Sequence, residues 1–255
     1  MSPVQAIRTA LFYLLLSLSA CLWSTISLFV APLLPFRLRY RFVAKWWCCI
    51  AVWLARVVVN VRYEIRGVEN IPQRPCVILA NHQSTWETFF LTGYFEPLSQ
   101  VLKRELLRVP FFGWALALLK PIAIDRSTPK VALKQMAKQG HERLQQHTWV
   151  LIFPEGTRTP LGEPAKFSRG GAALAVNANL PVLPIAHNAG RFWPKNGWAK
   201  FPGTIQVEIG PLLHPQGEGP RAIAELNQRA EDWVNQTLRN MGELPAVEAP
   251  VAKAS

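Results

Sequence analysis

The chain has 255 residues, enough for one sizeable domain or for one domain with an appendage. Its net charge of +12 and pI near 10 point to anionic partners: nucleic acid, an acidic membrane surface or phosphorylated substrates. Half of the residues are hydrophobic and ten are tryptophan, which favours the membrane, and the four cysteines lack the spacing of a zinc site or a disulfide framework.

Residues 1–62 carry seven basic residues (Arg8, Arg37, Arg39, Arg41, Lys45, Arg56 and Arg62) and no acid. Between Arg8 and Arg37 there is no charge, and Pro32 and Pro35 should end a helix near Ala31. That leaves about 22 residues, or ~33 Å, long enough to span a bilayer. Leu18-Ser19-Ala20-Cys21 is similar to a lipoprotein cleavage site, but the apolar run continues past Cys21, where a cleaved lipoprotein would turn polar. A second apolar segment, Lys45 to Val61, has an uncharged stretch too short to span. Its Trp46, Trp47 and Trp53 suit the membrane interface, and an ordinary core helix is the alternative. By the positive-inside rule Arg37, Arg39, Arg41 and Lys45 stay cytoplasmic, and if the first segment spans the membrane the rest of the chain lies in the cytosol.

From about Val57 the pattern changes. Strands are expected near 57–65, 76–80, 121–125, 148–153, 181–185 and 204–209, with helices near 85–95, 129–147, 168–178 and 220–240. This alternation predicts an α/β fold, a mixed and largely parallel sheet flanked by helices, behind an N-terminal apolar two-helix attachment segment. The expected organisation is membrane-associated helices over 1–61, one domain over 62–242 and a disordered tail over 243–255.

The most informative stretch is residues 76–87, Cys-Val-Ile-Leu-Ala-Asn-His-Gln-Ser-Thr-Trp-Glu. Val77 to Ala80 reads as a buried strand. Ser84 and Glu87 have the spacing of a capping box, so a helix begins there and His82 lies in the turn before it. Strand ends of this kind are where open α/β sheets place their chemistry. A histidine there can take a proton near neutral pH, and Glu87 can hold its far ring nitrogen. Residues five apart diverge by ~140° on a continuous helix, so the pair meets only because the cap leaves His82 outside it. A purely structural reading is equally open at this point, with Glu87 as reciprocal cap and His82 as a turn residue.

Three further blocks follow: Lys120-Pro-Ile-Ala-Ile-Asp-Arg126, Phe153-Pro-Glu-Gly-Thr-Arg-Thr159 and Leu180-Pro-Val-Leu-Pro-Ile185. With Asn81-His82 to Glu87 they make four blocks over residues 62–215. In content and order they resemble the glycerolipid acyltransferase family, and within it the bacterial 1-acylglycerol-3-phosphate acyltransferases. One departure stands out: the family's first block usually ends in Asp, and here the acid is Glu87. The extra methylene lengthens the reach and puts the His–acid geometry in question.

The resemblance implies a membrane-associated O-acyltransferase that moves a fatty acyl group from a thioester to the sn-2 hydroxyl of 1-acylglycerol-3-phosphate, giving phosphatidate. His82 would be the general base, oriented by Glu87, with no covalent acyl-enzyme, although Ser84 stays open as a nucleophile. The donor is acyl carrier protein or coenzyme A carrying the acyl chain, and no cofactor or metal is implied. Gly156 permits close approach of backbone to ligand, and Arg158 offers a forked clamp for phosphate. The family assigns this block, Glu155, Gly156, Thr157 and Arg158, to the acceptor's phosphate, with Glu155 shaping the loop. Arg126 is a second phosphate candidate that Asp125 could instead pair. Lys103 matches a basic position the family places near the active site; a solvated charge on a helix is the alternative. The fourth block walls an acyl pocket or simply packs the core. Ser168-Arg169-Gly170-Gly171 opens a helix that could take an anion, with close packing as the other account of its glycines.

Two rivals remain at this level. Another lyso-lipid acceptor uses the same four blocks. A non-catalytic protein binding anionic membrane lipids would use the positive charge but has no need of the His–acid pair. Basic residues beside Trp-rich apolar segments favour lipid over nucleic acid, so no nucleic-acid partner is expected.

Overall fold

The computed structural model describes residues 2–125 and 128–245. The chain starts with α1 (Pro3–Val30), capped by Ser2, whose hydroxyl accepts a hydrogen bond from Gln5 N, with Pro3 in the first turn. A 3-10 turn at Ala31–Leu33, followed by Pro35, reverses the chain. The return rod is α2 (Phe36–Tyr40), a π-helical segment (Arg41–Trp46) and α3 (Trp47–Val59), which stops at Asn60 in the left-handed conformation. It starts earlier than the sequence suggested, so the basic cluster lies inside the helix. Both rods are long and apolar enough to cross a membrane by length and composition.

The surface of α1 is inverted relative to a water-soluble helix. Val4, Ile7, Leu11, Leu14, Leu18, Leu22, Ile26 and Phe29 recur every three or four residues and are exposed, whereas Gln5, Thr9, Ser24 and Ser27 are buried. The hairpin is tied to the rest of the molecule by polar contacts. Tyr40 Oη donates to the carbonyl oxygens of Thr92 and Phe95, and Arg41 and Lys45 pair with Glu96.

A seven-stranded sheet follows: β1 (Val61–Arg66), β2 (Val77–Ala80), β3 (Leu98–Lys103), β4 (Ile122–Ile124), β5 (Trp149–Ile152), β6 (Val182–His187) and β7 (Gly203–Ile209). Its spatial order is β1-β7-β6-β2-β5-β3-β4, and every neighbouring pair is parallel except β6 with β7. The mixed, largely parallel sheet matches the sequence reading. β3 was not anticipated, because Ser99 and Gln100 interrupt its apolar run. The expected first strand is shifted, since residues 57–59 complete α3.

The central strands are apolar on both faces, as a doubly covered sheet requires. Ile78, Leu151, Leu183 and Ile185 join Trp86, Phe90, Val59, Tyr40 and Phe12 in one core, so the hairpin shares a core with the sheet. The alternate residues Val77, Leu79, Val150 and Ile152 pack on the other face against α6 (Pro129–Gln145), α7 (Gly170–Ala178) and α9 (Gly219–Asn240). The remaining helices are α4 (Trp86–Tyr94), α5 (Phe112–Ala117) and α8 (Ala189–Phe192). At the C-terminus Glu243 and Leu244 are buried and Glu243 lies 2.9 Å from Arg191 Nε, so packing continues into the region expected to be a tail; residues 246–255 lie outside the described residues.

Candidate active site

The parallel strands β6, β2 and β5 lie side by side and point the same way, so the turns after Ala80, Ile152 and His187 meet at one edge of the sheet. In the turn after β2, Ser84 Oγ accepts from Trp86 N at 2.8 Å and starts α4. One oxygen of Glu87, Oε1, accepts from Ser84 N (2.7 Å) and Gln83 N (2.9 Å) and lies 2.8 Å from His82 Nδ1. The two readings left open by the sequence are therefore both true of this oxygen. It closes the capping box and also holds the imidazole. The longer Glu side chain spans the gap despite its extra methylene.

The pair is asymmetric in exposure: the His82 side chain is 18% accessible and that of Glu87 0%. With Nδ1–H donating to the carboxylate, Nε2 is the ring's basic nitrogen. The imidazole stacks on Phe153 at 4.1 Å between ring centres, which fixes its plane. Burial alone would raise the Glu87 carboxyl. The nearby imidazoles of His187 and His82 and the amide of Ser84 outweigh it and hold the group down at about 2. The acid is thus ionised throughout the physiological range.

The Phe153–Thr159 loop grips His82 by its backbone. Glu155 Oε1 accepts from His82 N at 2.9 Å, and Thr159 N donates to His82 O at 2.7 Å. Burial pushes the Glu155 carboxyl up to about 8, helped by the negative charges of Glu87 and Glu231 and opposed by the His82 amide, so it is protonated at neutral pH. Gly156 has φ +71, a left-handed conformation that favours glycine. Thr157 is exposed beside it. The half-buried Arg158 donates from Nη2 to Thr85 Oγ1 at 2.8 Å, which sets its guanidinium against the first turn of α4, beside the histidine turn.

The other expected site residues are placed differently. Lys103 ends β3 with its side chain exposed, a strand end and not a helix surface. With β5 between β3 and β2, it sits ~10 Å along the sheet edge from the histidine strand. Arg126 lies outside the described residues. The fourth block is core strand: Val182, Leu183 and Ile185 are fully buried in β6, and none of them lines the cavity described below. At Gly170 and Gly171 an added Cβ would stand 2.5 Å from Met136 and Leu79 respectively, so packing accounts for both glycines. Ser84 Oγ is fully buried in its capping bond, which leaves it unsuited to attack a substrate.

Sequence reasoning missed the partner residue at the end of β6. Asn81 and His187 exchange amide-to-backbone bonds at 2.9 Å in both directions. His187 Nε2 donates to Asn81 O at 2.7 Å, and its Nδ1 accepts from Ala189 N at 3.3 Å. Gln83 Oε1 accepts from Gly190 N. The available signal was Asn81 and His187 standing at the ends of two expected strands.

An apolar cavity of about 160 Å3 opens between the hairpin and α4, starting one residue beyond Glu87 at Thr88 and Phe89 and bounded by Trp23, Ser27, Tyr40, Trp47 and Phe112. The accessible histidine with its buried carboxylate, the Arg158 guanidinium and the apolar cavity thus all border α4.

Comparison with known proteins fits this arrangement. Residues 62–188 match the family model described as Acyltransferase. The chain is 73% identical to a 1-acyl-sn-glycerol-3-phosphate acyltransferase of Pseudomonas aeruginosa, over 96% of this chain and 95% of that one. It is 31% identical to 1-acyl-sn-glycerol-3-phosphate acyltransferase beta of Homo sapiens, over 95% and 88% of the two chains. The crystal structure of the 1-acyl-sn-glycerophosphate acyltransferase PlsC from Thermotoga maritima superposes with a TM-score of 0.76 at 22% identity, covering 95% of this chain and 98% of that one. The chain belongs to the acyltransferase family, among relatives that are 1-acyl-sn-glycerol-3-phosphate acyltransferases.

Proposed function

We propose that the protein transfers a fatty acyl group from a thioester to the sn-2 hydroxyl of 1-acylglycerol-3-phosphate, giving phosphatidate, with His82 as general base. The observation that carries this reading is the Glu87 carboxylate held 2.8 Å from His82 Nδ1 while the ring keeps access to solvent. His82 Nε2 removes the hydroxyl proton as the oxygen attacks the thioester carbonyl carbon. The tetrahedral intermediate collapses, the carbon–sulfur bond breaks, and the leaving thiolate takes the proton back from the imidazolium. Glu87 stabilises the imidazolium between these steps. Direct attack agrees with the buried, hydrogen-bonded state of Ser84.

Arg158, with Thr157 and the backbone around Gly156, binds the acceptor's phosphate; Lys103 contributes from further along the edge, and Arg126 is a second cation for the same phosphate. Protonated Glu155 holds the loop to His82. The apolar cavity beside α4 receives a fatty chain, since it offers hydrocarbon surface along the helix that carries Glu87. The outward apolar stripe of α1 faces lipid, and the basic residues at the start of the second rod meet anionic headgroups on the cytoplasmic side of the inner membrane. In this reading a bilayer-resident acceptor meets a soluble donor, acyl carrier protein or coenzyme A, at the site.

The test is acyl transfer from each donor to lysophosphatidate by detergent-purified protein beside His82→Ala. Transfer by wild type and its loss in the variant is the expected result. Undiminished transfer by His82→Ala would remove the base from the mechanism. Transfer only to other lyso-lipids would reassign the acceptor.

A further inference from the structure

Lys200 is fully buried, and among the described residues no carboxylate lies within ion-pair distance of it. Its ammonium donates to the carbonyl oxygens of Trp198 (3.0 Å) and Ala199 (3.3 Å). It also lies over the rings of Tyr13 and Trp193, 4.9 and 5.2 Å from their centres. A buried lysine without a counter-charge is uncommon, and an apolar residue of similar length would fill the space without removing a charge from water. Packing alone does not account for it.

The loop that carries the cage is bonded to the loop that carries Arg158. Lys195, in the same loop, donates from Nζ to Arg158 O at 2.8 Å. The loop is held from its other side by α1, where Gln5 Nε2 donates to Lys200 O at 2.7 Å and the Trp193 ring meets Phe12 edge-on at 5.2 Å. Burial, and after it the positive charge of Arg158, pushes the Lys200 ammonium down to about 8. Two cations therefore repel one another in this corner, and a phosphate at Arg158 relieves both.

We propose that Lys200 is a positioning residue for the acceptor. Caged by Tyr13, Trp193 and two carbonyl oxygens, its fixed ammonium adds to the positive field at Arg158 and strengthens binding of a phosphomonoester headgroup. It acts through that field, without touching the phosphate. The proposal rests on the reading of Arg158 as the phosphate clamp. It also gives the N-terminal half of α1 a part in the site, because Tyr13 and Gln5 hold the loop that carries the charge.

The test is steady-state kinetics of Lys200→Gln, which keeps donors for the two carbonyls and removes the charge, with Arg158→Gln in parallel. For Lys200→Gln the KM for lysophosphatidate should rise roughly three- to tenfold, with kcat and the KM for the acyl donor within about twofold of wild type. An unchanged acceptor KM would overturn the proposal. So would a uniform fall in kcat with a lowered Tm, which is the signature of a structural lysine. If Lys200→Gln does not fold, Lys200→Met replaces it; failure of both to fold also assigns a structural role. An acceptor KM unaltered in Arg158→Gln would instead remove the clamp reading, whereas a rise there without one in Lys200→Gln removes only the role of Lys200.

Discussion

The C-terminal ends of β2 and β6 are neighbours, with His82 just past one and His187 closing the other, yet the two histidines sit in opposite settings. His187 has both ring nitrogens engaged by backbone, donating to Asn81 O and accepting from Ala189 N, and is 1% exposed. Burial lowers its pKa, with the Glu87 charge opposing, and its bonds to Asn81 weld two strands together. His82 gives one nitrogen to a buried carboxylate and keeps its ring accessible. What separates the proposed base from a strut is the partner and the open edge, and the residue type is the same in both.

The comparison breaks most readily at the histidines themselves. His82→Ala should lower kcat by about 10^3-fold, within the usual range for removing a general base. His187→Gln, whose amide can serve both backbone contacts, should leave kcat within about threefold and lower stability by roughly 1 kcal/mol. Equal losses of activity in the two variants, measured on folded protein, would abolish the distinction.

Next in size is Glu87→Gln, expected to cost on the order of 10^2-fold in kcat because the imidazolium loses its counter-charge. It also carries a stability signature. The Glu87 carboxyl sits at about 2 against an ordinary 4.5, so the unfolded chain takes the proton first as pH falls. Its contribution, on the order of 3 kcal/mol, is present above pH 4.5 and is lost as pH falls through 2. Denaturant titrations should show that acid limb in wild type and a flatter one in Glu87→Gln.

Glu155 has the opposite sign. Its carboxyl stands at about 8, so the folded protein keeps a proton that the unfolded chain releases above 4.5. Stability therefore falls as pH rises from 4.5 through 8 and levels off above that. Glu155→Gln keeps an acceptor for His82 N and should remove the decline, gaining roughly 7–14 °C in Tm relative to wild type between pH 5 and pH 8. A parallel fall in both proteins would show that Glu155 is ionised. The smallest effect is expected for Thr85→Val, which frees the Arg158 guanidinium from its bond to Oγ1. The acceptor KM should rise about two- to fivefold with kcat unchanged.

Much of the fold was legible because the signals are local. The runs at 77–80, 149–152 and 182–187 are buried on both faces, and such strands read as continuous apolar stretches. α9 announced itself by Leu226, Ala230, Val234 and Leu238, each four apart and each buried. α1 shows the limit of that reading. Its apolar spacing is equally plain, but the stripe faces outward and the polar Gln5 and Thr9 face the core. Periodicity identifies the face without saying what lies against it. β3 escaped for a related reason, since its polar Ser99 and Gln100 are accommodated only by its place between β5 and β4.

For the site, the sequence by itself determined the capping box, the strand before it and hence the position of His82 outside α4, all set by contacts within five residues. Only the tertiary structure decided what surrounds them. The bonds from His82 to Glu155 and Thr159, from Asn81 to His187, from Arg158 to Thr85 and from Lys200 to α1 join residues between 73 and 195 positions apart. Those meetings depend on the strand order β6-β2-β5 and on the hairpin folding back over it. Burial raises both carboxyls from the same ordinary value, and only at Glu87 do neighbouring imidazoles and the Ser84 amide outweigh it, so that two identical side chains become an anion and a neutral acid. Spacing along a chain encodes which face a residue occupies. It does not encode the distant charges and donors that burial brings within reach, and those set the chemistry.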